Sequence, residues 1–225
     1  MCPRRRDHAP GPTAASEVSE RLRASILDGD LPPGTALREE DLADRFAVSR
    51  HTVRAALARL SAERLVQSIP YRGSRVAQLD IDGLHALQDL RGALEGEAVR
   101  LLRERHGEQW PAAVTAPIRA ALTVLDHAER TAGWAQTTRA HSEFHQALVA
   151  AAGSPRITEA YAQLDSEILV LLTHMRPDYP PGSLAPEHRT YLEAAQRDGG
   201  PAVHAHLAHS TALIEASLRE HGSTD

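Results

Sequence analysis

Lysine is absent from the 225-residue chain, so all 25 basic residues are arginines. Cysteine is nearly absent: Cys2 stands alone, cannot close an internal disulfide, and points to a reducing, cytoplasmic compartment. Aromatic residues make only 4%, too few for a base-stacking surface that would hold single-stranded nucleic acid. No apolar run approaches the roughly 18 residues of a membrane span. The arginines Arg4, Arg5 and Arg6 are followed by no apolar core of a secretory leader. What is there, 42% hydrophobic and 24% charged residues, is the balance of a soluble globular protein long enough for two modest domains.

The formal net charge of -5 is unevenly spread. Residues 1–76 carry 13 arginines against 10 acids, whereas residues 77–225 carry 12 against 20. Between Arg45 and Arg75 lie seven arginines and a single acid, Glu63. A basic patch on an otherwise acidic chain points to a polyanion partner for that segment alone.

Residues 1–12, rich in proline, glycine and arginine, read as a disordered tail. From residue 13 to 77 the pattern is helix over Ala15–Leu27, turn, helix over Arg38–Phe46, a short turn, and a third helix capped by Ser49 and running to Glu63. Val53, Ala56, Leu57 and Leu60 fall on its inward face. Leu65 to Ile69, a Pro70–Gly73 turn and Ser74–Val76 then read as a hairpin. This order describes a winged helix-turn-helix whose third helix would enter a major groove. Residues 80–225 show helical periodicity over about 82–106, 111–131, 134–152, 155–176, 184–198 and 201–220, with glycine and proline breakers between most of them. The expected fold is therefore mainly α: a winged helix-turn-helix followed by an all-α six-helix bundle.

At this point the residues resemble a family. Asp30-Leu31-Pro32-Pro33-Gly34-Thr35, Glu39-x-x-Leu42-Ala43, Val48-Ser49-Arg50-x-x-Val53-Arg54-x-Ala56-Leu57 and the wing Gly73 resemble the GntR-type transcriptional regulators. Asp89-Leu90-Arg91-x-x-Leu94-Glu95, Glu143-Phe144-His145-x-Ala147-Leu148, Ala151–Pro155 and Glu187-His188 resemble the FCD-type ligand domain of that family. The resemblance implies a homodimeric regulator of double-stranded DNA, most often a repressor, acting on a pseudo-palindromic operator. It also implies a helical domain that takes a small organic-acid effector, often beside a metal. Glu40 stands where the family commonly has a DNA-touching arginine; Arg38 can partly replace that charge. His51 and Thr52 also depart from the family's recognition helix.

On the third helix, Arg50 and Arg54 lie one turn apart, opposite Val53 and Leu57, where their planar donor forks can reach guanine edges or phosphates. Ser49 and Thr52 offer short hydroxyls at the helix N-terminus; Arg72 and Gly73 form the wing tip. Arg54 could instead pair with Glu63 or with an acid on the second helix.

Eleven of the 13 histidines lie after residue 77. His141 and His145, four apart, share a helix face with Leu148 and can meet one ion. His188 lies on the face of Tyr191, Leu192 and Ala195, and His209 on a stripe with Ala205, Leu213 and Ala216. By resemblance, these four positions supply a metal site, with His141 where the family has an aspartate. Four imidazoles favour zinc, nickel or copper over manganese. His204 and His206 compete with His209 as the fourth ligand. Arg91, on an inward stripe, needs a carboxylate: either Glu95, one turn on, or that of an effector. A metal-free pocket of the same residues, and more remotely a metal-dependent hydrolase using Glu143, are the alternatives. No His-Glu-x-x-His, Gly-x-Ser-x-Gly or phosphate loop supports the hydrolase.

Overall fold

A computed structural model describes residues 13–69, 73–78, 80–173, 180 and 182–221. The chain divides into two compact units, one of residues 1–26 and 30–77, the other of residues 27–29 and 78–225.

The first unit is a winged helix-turn-helix. It comprises α1 (Ala14–Leu27), β1 (Ala36–Leu37), α2 (Glu39–Phe46), α3 (Arg50–Ala62), β2 (Val66–Ile69) and β3 (Gly73–Val76). Ser49 caps α3, its Oγ accepting from the Thr52 amide at 3.1 Å, so the cap read from sequence forms. Val53, Ala56, Leu57 and Leu60 are buried beneath α3 together with Leu22 and Ile26 of α1 and Leu42 of α2. The strands pair antiparallel in the order β1-β3-β2, with Ser68 opposite Ser74 and Leu37 also opposite Ser74. The two-residue β1 is too short to show a period of two, which is why sequence reading missed it. Between α2 and α3 the chain turns through Ala47 at φ 53°, a left-handed conformation in a residue that carries a Cβ.

The second unit holds seven helices among its described residues: α4 (Ile81–His106), α5 (Ala112–Thr131), α6 (Trp134–Ala151), α7 (Pro155–Ala162), α8 (Asp165–Thr173), α9 (Leu184–Asp198) and α10 (Gly200–His221). The helix expected over 155–176 is thus divided into α7 and α8, and the part of that span beyond Thr173 lies outside the described residues. No glycine or proline marks the break. It is set by Asp165, whose carboxylate accepts from Ser142 and, at 2.8 Å, from Gln146, both on α6. α6 packs against α4, α5, α7 and α8, and its Phe144 and Leu148 are fully buried.

Two charged side chains fix α9 at its ends. Glu129, near the end of α5, accepts from the Leu184 and Ala185 amides at 2.9 and 2.8 Å, satisfying free donors of the first turn. At the other end Arg103 of α4 donates to the Gln196 and Arg197 carbonyls. Gly199, at φ 72°, takes a conformation that favours glycine, and a Cβ there would stand 2.8 Å from the Arg103 Cδ. α9 carries His188, so both contacts bear on the site below.

Candidate functional site

The histidines of α6 and α9 converge inside the helical unit. His141 and His145 project from one face of α6, and His188 from α9 meets them; the ligand atoms of all three lie within 4.8 Å of one another. All three are buried. Each of two rings has one nitrogen committed. His188 Nδ1 lies 2.7 Å from the Leu184 carbonyl, which can only accept, so Nδ1 carries the hydrogen and Nε2 is bare. His145 Nδ1 lies 3.0 Å from Glu95 Oε2, which in the same way leaves its Nε2 bare. Those two Nε2 atoms face each other at 3.1 Å. His141 Nδ1 is buried with no hydrogen-bond partner.

Two lone pairs pointed at each other repel unless a cation lies between them. Imidazole–zinc bonds of about 2.0–2.1 Å place two ligand nitrogens about 2.9 Å apart in an octahedral cis pair and about 3.4 Å apart in a tetrahedron. The observed separation falls inside that interval. The unpartnered His141 nitrogen is a further donor that burial would otherwise penalise. The residues therefore fit a transition ion.

Glu95 braces the site. Its Oε1 accepts from Tyr161 at 2.6 Å and from Arg91 at 3.1 Å, and its Oε2 accepts from Tyr191 at 3.2 Å and from His145. Arg91 also donates to Gln88 at 3.0 Å and reaches the Tyr161 hydroxyl at 3.4 Å. The carboxylate that Arg91 needs is thus supplied within the chain, while Arg91 still lines a narrow cavity with His141 and His188. Burial pushes the His188 pKa down to about 4, and burial first, then the neighbouring charges, hold His141, His145 and His206 well below the usual imidazole range. The rings are neutral near pH 7, the state a metal ligand requires. Burial, reinforced by Glu95, raises Tyr161 and Tyr191, which keeps both hydroxyls as donors.

Of His204, His206 and His209 on α10, His206 stands nearest the cluster. Its ring centroid lies 4.8 Å from that of His188 and 5.3 Å from that of His145, and it stacks on Tyr191 at 4.1 Å and 9°. His209, one turn on, is exposed but lines the same narrow cavity. His204 faces α4, in a groove with His85 and Gly92. Sequence reading assigned no site role to Gln88, Tyr161 or Tyr191, of which the first meets Arg91 and the two tyrosines meet Glu95.

In the winged unit, Arg38, Arg50, His51 and Arg54 are exposed, and Thr52 is half-buried with its hydroxyl 2.8 Å from that of Ser49. Arg54 makes a two-pronged ion pair with Glu39 of α2, at 3.0 and 2.7 Å, while remaining 67% exposed. Glu63 is taken by Arg23 of α1. Gly73 opens β3 at φ 85°, which favours glycine there; Arg72 lies outside the described residues.

Residues 14–76 match the family model of bacterial regulatory proteins, gntR family, and residues 86–213 match that of the FCD domain. The chain is 31% identical, over 95% of its length and 92% of the relative's, to the probable D-xylose utilization operon transcriptional repressor of Paenarthrobacter nicotinovorans. It is 33% identical to the HTH-type transcriptional repressor GlaR of Escherichia coli over 59% of this chain and 60% of that one. A GntR transcriptional regulator from Rhodococcus sp. RHA1 shares the fold with a TM-score of 0.73 at 24% identity, over 90% of this chain and 97% of that one. Escherichia coli McbR/YncC shares it with a TM-score of 0.65 at 22% identity, over 92% of this chain and 98% of that one.

Proposed function

The chain belongs to the GntR family, with an FCD domain, and is a DNA-binding transcriptional regulator; we propose that it is a homodimeric repressor switched by an organic acid bound beside a histidine-held transition metal. The hydrolase alternative gives way to this, because the family and its relatives regulate transcription. The observation that carries the proposal is the pair of bare Nε2 atoms of His145 and His188, 3.1 Å apart.

His141, His145 and His188 would hold the ion, with His206 or His209 from α10 as a further donor. Neutral nitrogen ligands suit zinc first, then nickel or copper. Bound there, the ion would supply a Lewis-acidic centre for an effector carboxylate. The chain's own residues set that site up: Glu95 orients His145, the Leu184 carbonyl orients His188, and Arg91 lines the cavity. On α3, Arg50 and Arg54 read or clamp the operator, assisted by Ser49, His51 and Thr52, with Arg38 and the wing residues Arg72 and Gly73 on the flanking backbone. The acid shifts operator affinity by the difference in its binding to the two states of the dimer.

A metal-free pocket is the second reading, since a proton shared between the two Nε2 atoms would also satisfy a 3.1 Å contact. Burial opposes that extra charge.

Operator affinity measured by fluorescence anisotropy tests the proposal, with metal-loaded and chelated protein, with and without small carboxylates. Affinity should fall steeply with salt and fall further when an acid is added to the metal-loaded protein. Affinity indifferent to metal and to every acid would overturn the switch.

A further inference from the structure

Two spaces in the helical unit meet at the same side chains. The narrow cavity beside Arg91, His141 and His188 has room for about 10 Å³, the size of one water-sized sphere. Outside it, a groove of about 580 Å³ runs between α9 and α10. Glu187, His206 and His209 line both. The narrow cavity can admit a coordinating head group's tip but no organic body, whereas the groove has the volume of a ligand site.

The groove changes character along its length. At the inner end stand the two imidazoles and Glu187; beyond them the walls are Thr190, Ala194, Ala202 and Ala205. From Glu187 to Asp198 the path along α9 is about 16 Å at 1.5 Å per residue. Its far end carries Asp198, whose carboxylate is held by Arg197 at 2.6 and 3.0 Å.

We propose that this groove is an outer subsite for the effector, and that the effector is an amphipathic carboxylic acid: its head meets the histidine site and its apolar body lies along α9 and α10. The inference rests on the metal-and-acid reading above and adds the ligand's chemical class. Small apolar side chains recognise a hydrocarbon body.

Titration calorimetry on the full-length, zinc-loaded protein with acetate, butyrate, hexanoate and octanoate tests this. Affinity should rise by up to about fourfold per added methylene, the factor expected for burying one CH₂, and disappear in chelator. Ala205→Trp, which fills the groove from an exposed position on α10, should flatten the series while leaving acetate unchanged; Thr190→Leu should tighten octanoate. A flat series in the wild type, with acetate still bound, would overturn the inference and leave the metal-and-acid reading standing. Hexylamine binding as tightly as hexanoate would overturn the assignment of the head. Failure of every acid, acetate included, would overturn the effector reading on which the inference depends.

Discussion

His145 Nε2 stands 3.1 Å from His188 Nε2 while the other nitrogen of each ring is bound elsewhere, one to Glu95 and one to the Leu184 carbonyl. The arrangement is preorganised: a carboxylate behind one ligand and a helix carbonyl behind the other fix the tautomers that aim both lone pairs at one point. The helix holding His188 is itself pinned at its start by Glu129 and at its end by Arg103.

Glu95→Gln removes the charge behind His145 and the partner of buried Arg91. Zinc affinity should fall about 10–100-fold, and the apo protein should lose on the order of 3–5 kcal/mol, the typical result of breaking a buried ion pair. Competition against a chelating dye reads the first effect and denaturant melts read the second. Unchanged affinity would remove Glu95 from the site.

His206 and His209 of α10 can be separated by single variants. His206 has its ring within 5.3 Å of both His145 and His188, whereas His209 is exposed. His206→Ala should therefore weaken zinc binding by more than tenfold, and His209→Ala by less. The reverse order would assign the fourth ligand to His209, the choice that the spacing of the resembled family favours.

Arg54 is held by Glu39 yet remains open to solvent. Arg54→Ala should cost about 1–3 kcal/mol of operator affinity and lower the salt slope by about one if it contacts phosphate. Stability should change little, since the pair is at the surface. Unaltered DNA binding would confine Arg54 to a structural role.

Ala47 turns the chain between α2 and α3 at φ 53°. Ala47→Gly relieves a left-handed strain of about 1–2 kcal/mol, offset in part by glycine's greater freedom in the unfolded chain. A rise of a few tenths to 1 kcal/mol in a urea melt is expected; destabilisation would show that the methyl contributes packing that outweighs the strain.

Acid should destabilise the metal-free protein early. His188 has its pKa lowered to about 4, and His141, His145 and His206 are lowered well below their usual range, all chiefly by burial. Above about pH 6.5 these rings are neutral in both folded and unfolded chains. Below it the unfolded chain takes up protons that the folded chain refuses, so stability falls as pH drops from about 6.5 toward 4. Melting midpoints in chelator across this range measure it, and a flat profile would contradict the buried, neutral cluster.

The winged unit was largely legible because its determinants are local: Ser49 caps its own helix, and the inward positions of α3 repeat at helical spacing. The pairing of His141 with His145 was visible for the same reason, four residues on one face. The break before Asp165 was not, since it depends on Ser142 and Gln146 more than 18 residues away. Nor were Tyr161 and Tyr191, which reach Glu95 across 66 and 96 residues. The choice between His206 and His209 turns on how α10 leaves the Gly199–Gly200 turn, and a one-turn difference there is invisible to periodicity because both positions share a face.

Metal content of the purified protein by mass spectrometry, before and after chelation, with a melting curve for each state, tests the histidine site most directly. About one equivalent of a transition metal per chain, lost in a His145→Ala, His188→Ala double variant, with a melting temperature that drops on chelation, is the predicted result. A wild type and double variant with equal metal content, and a melting curve that chelation leaves unmoved, would contradict it.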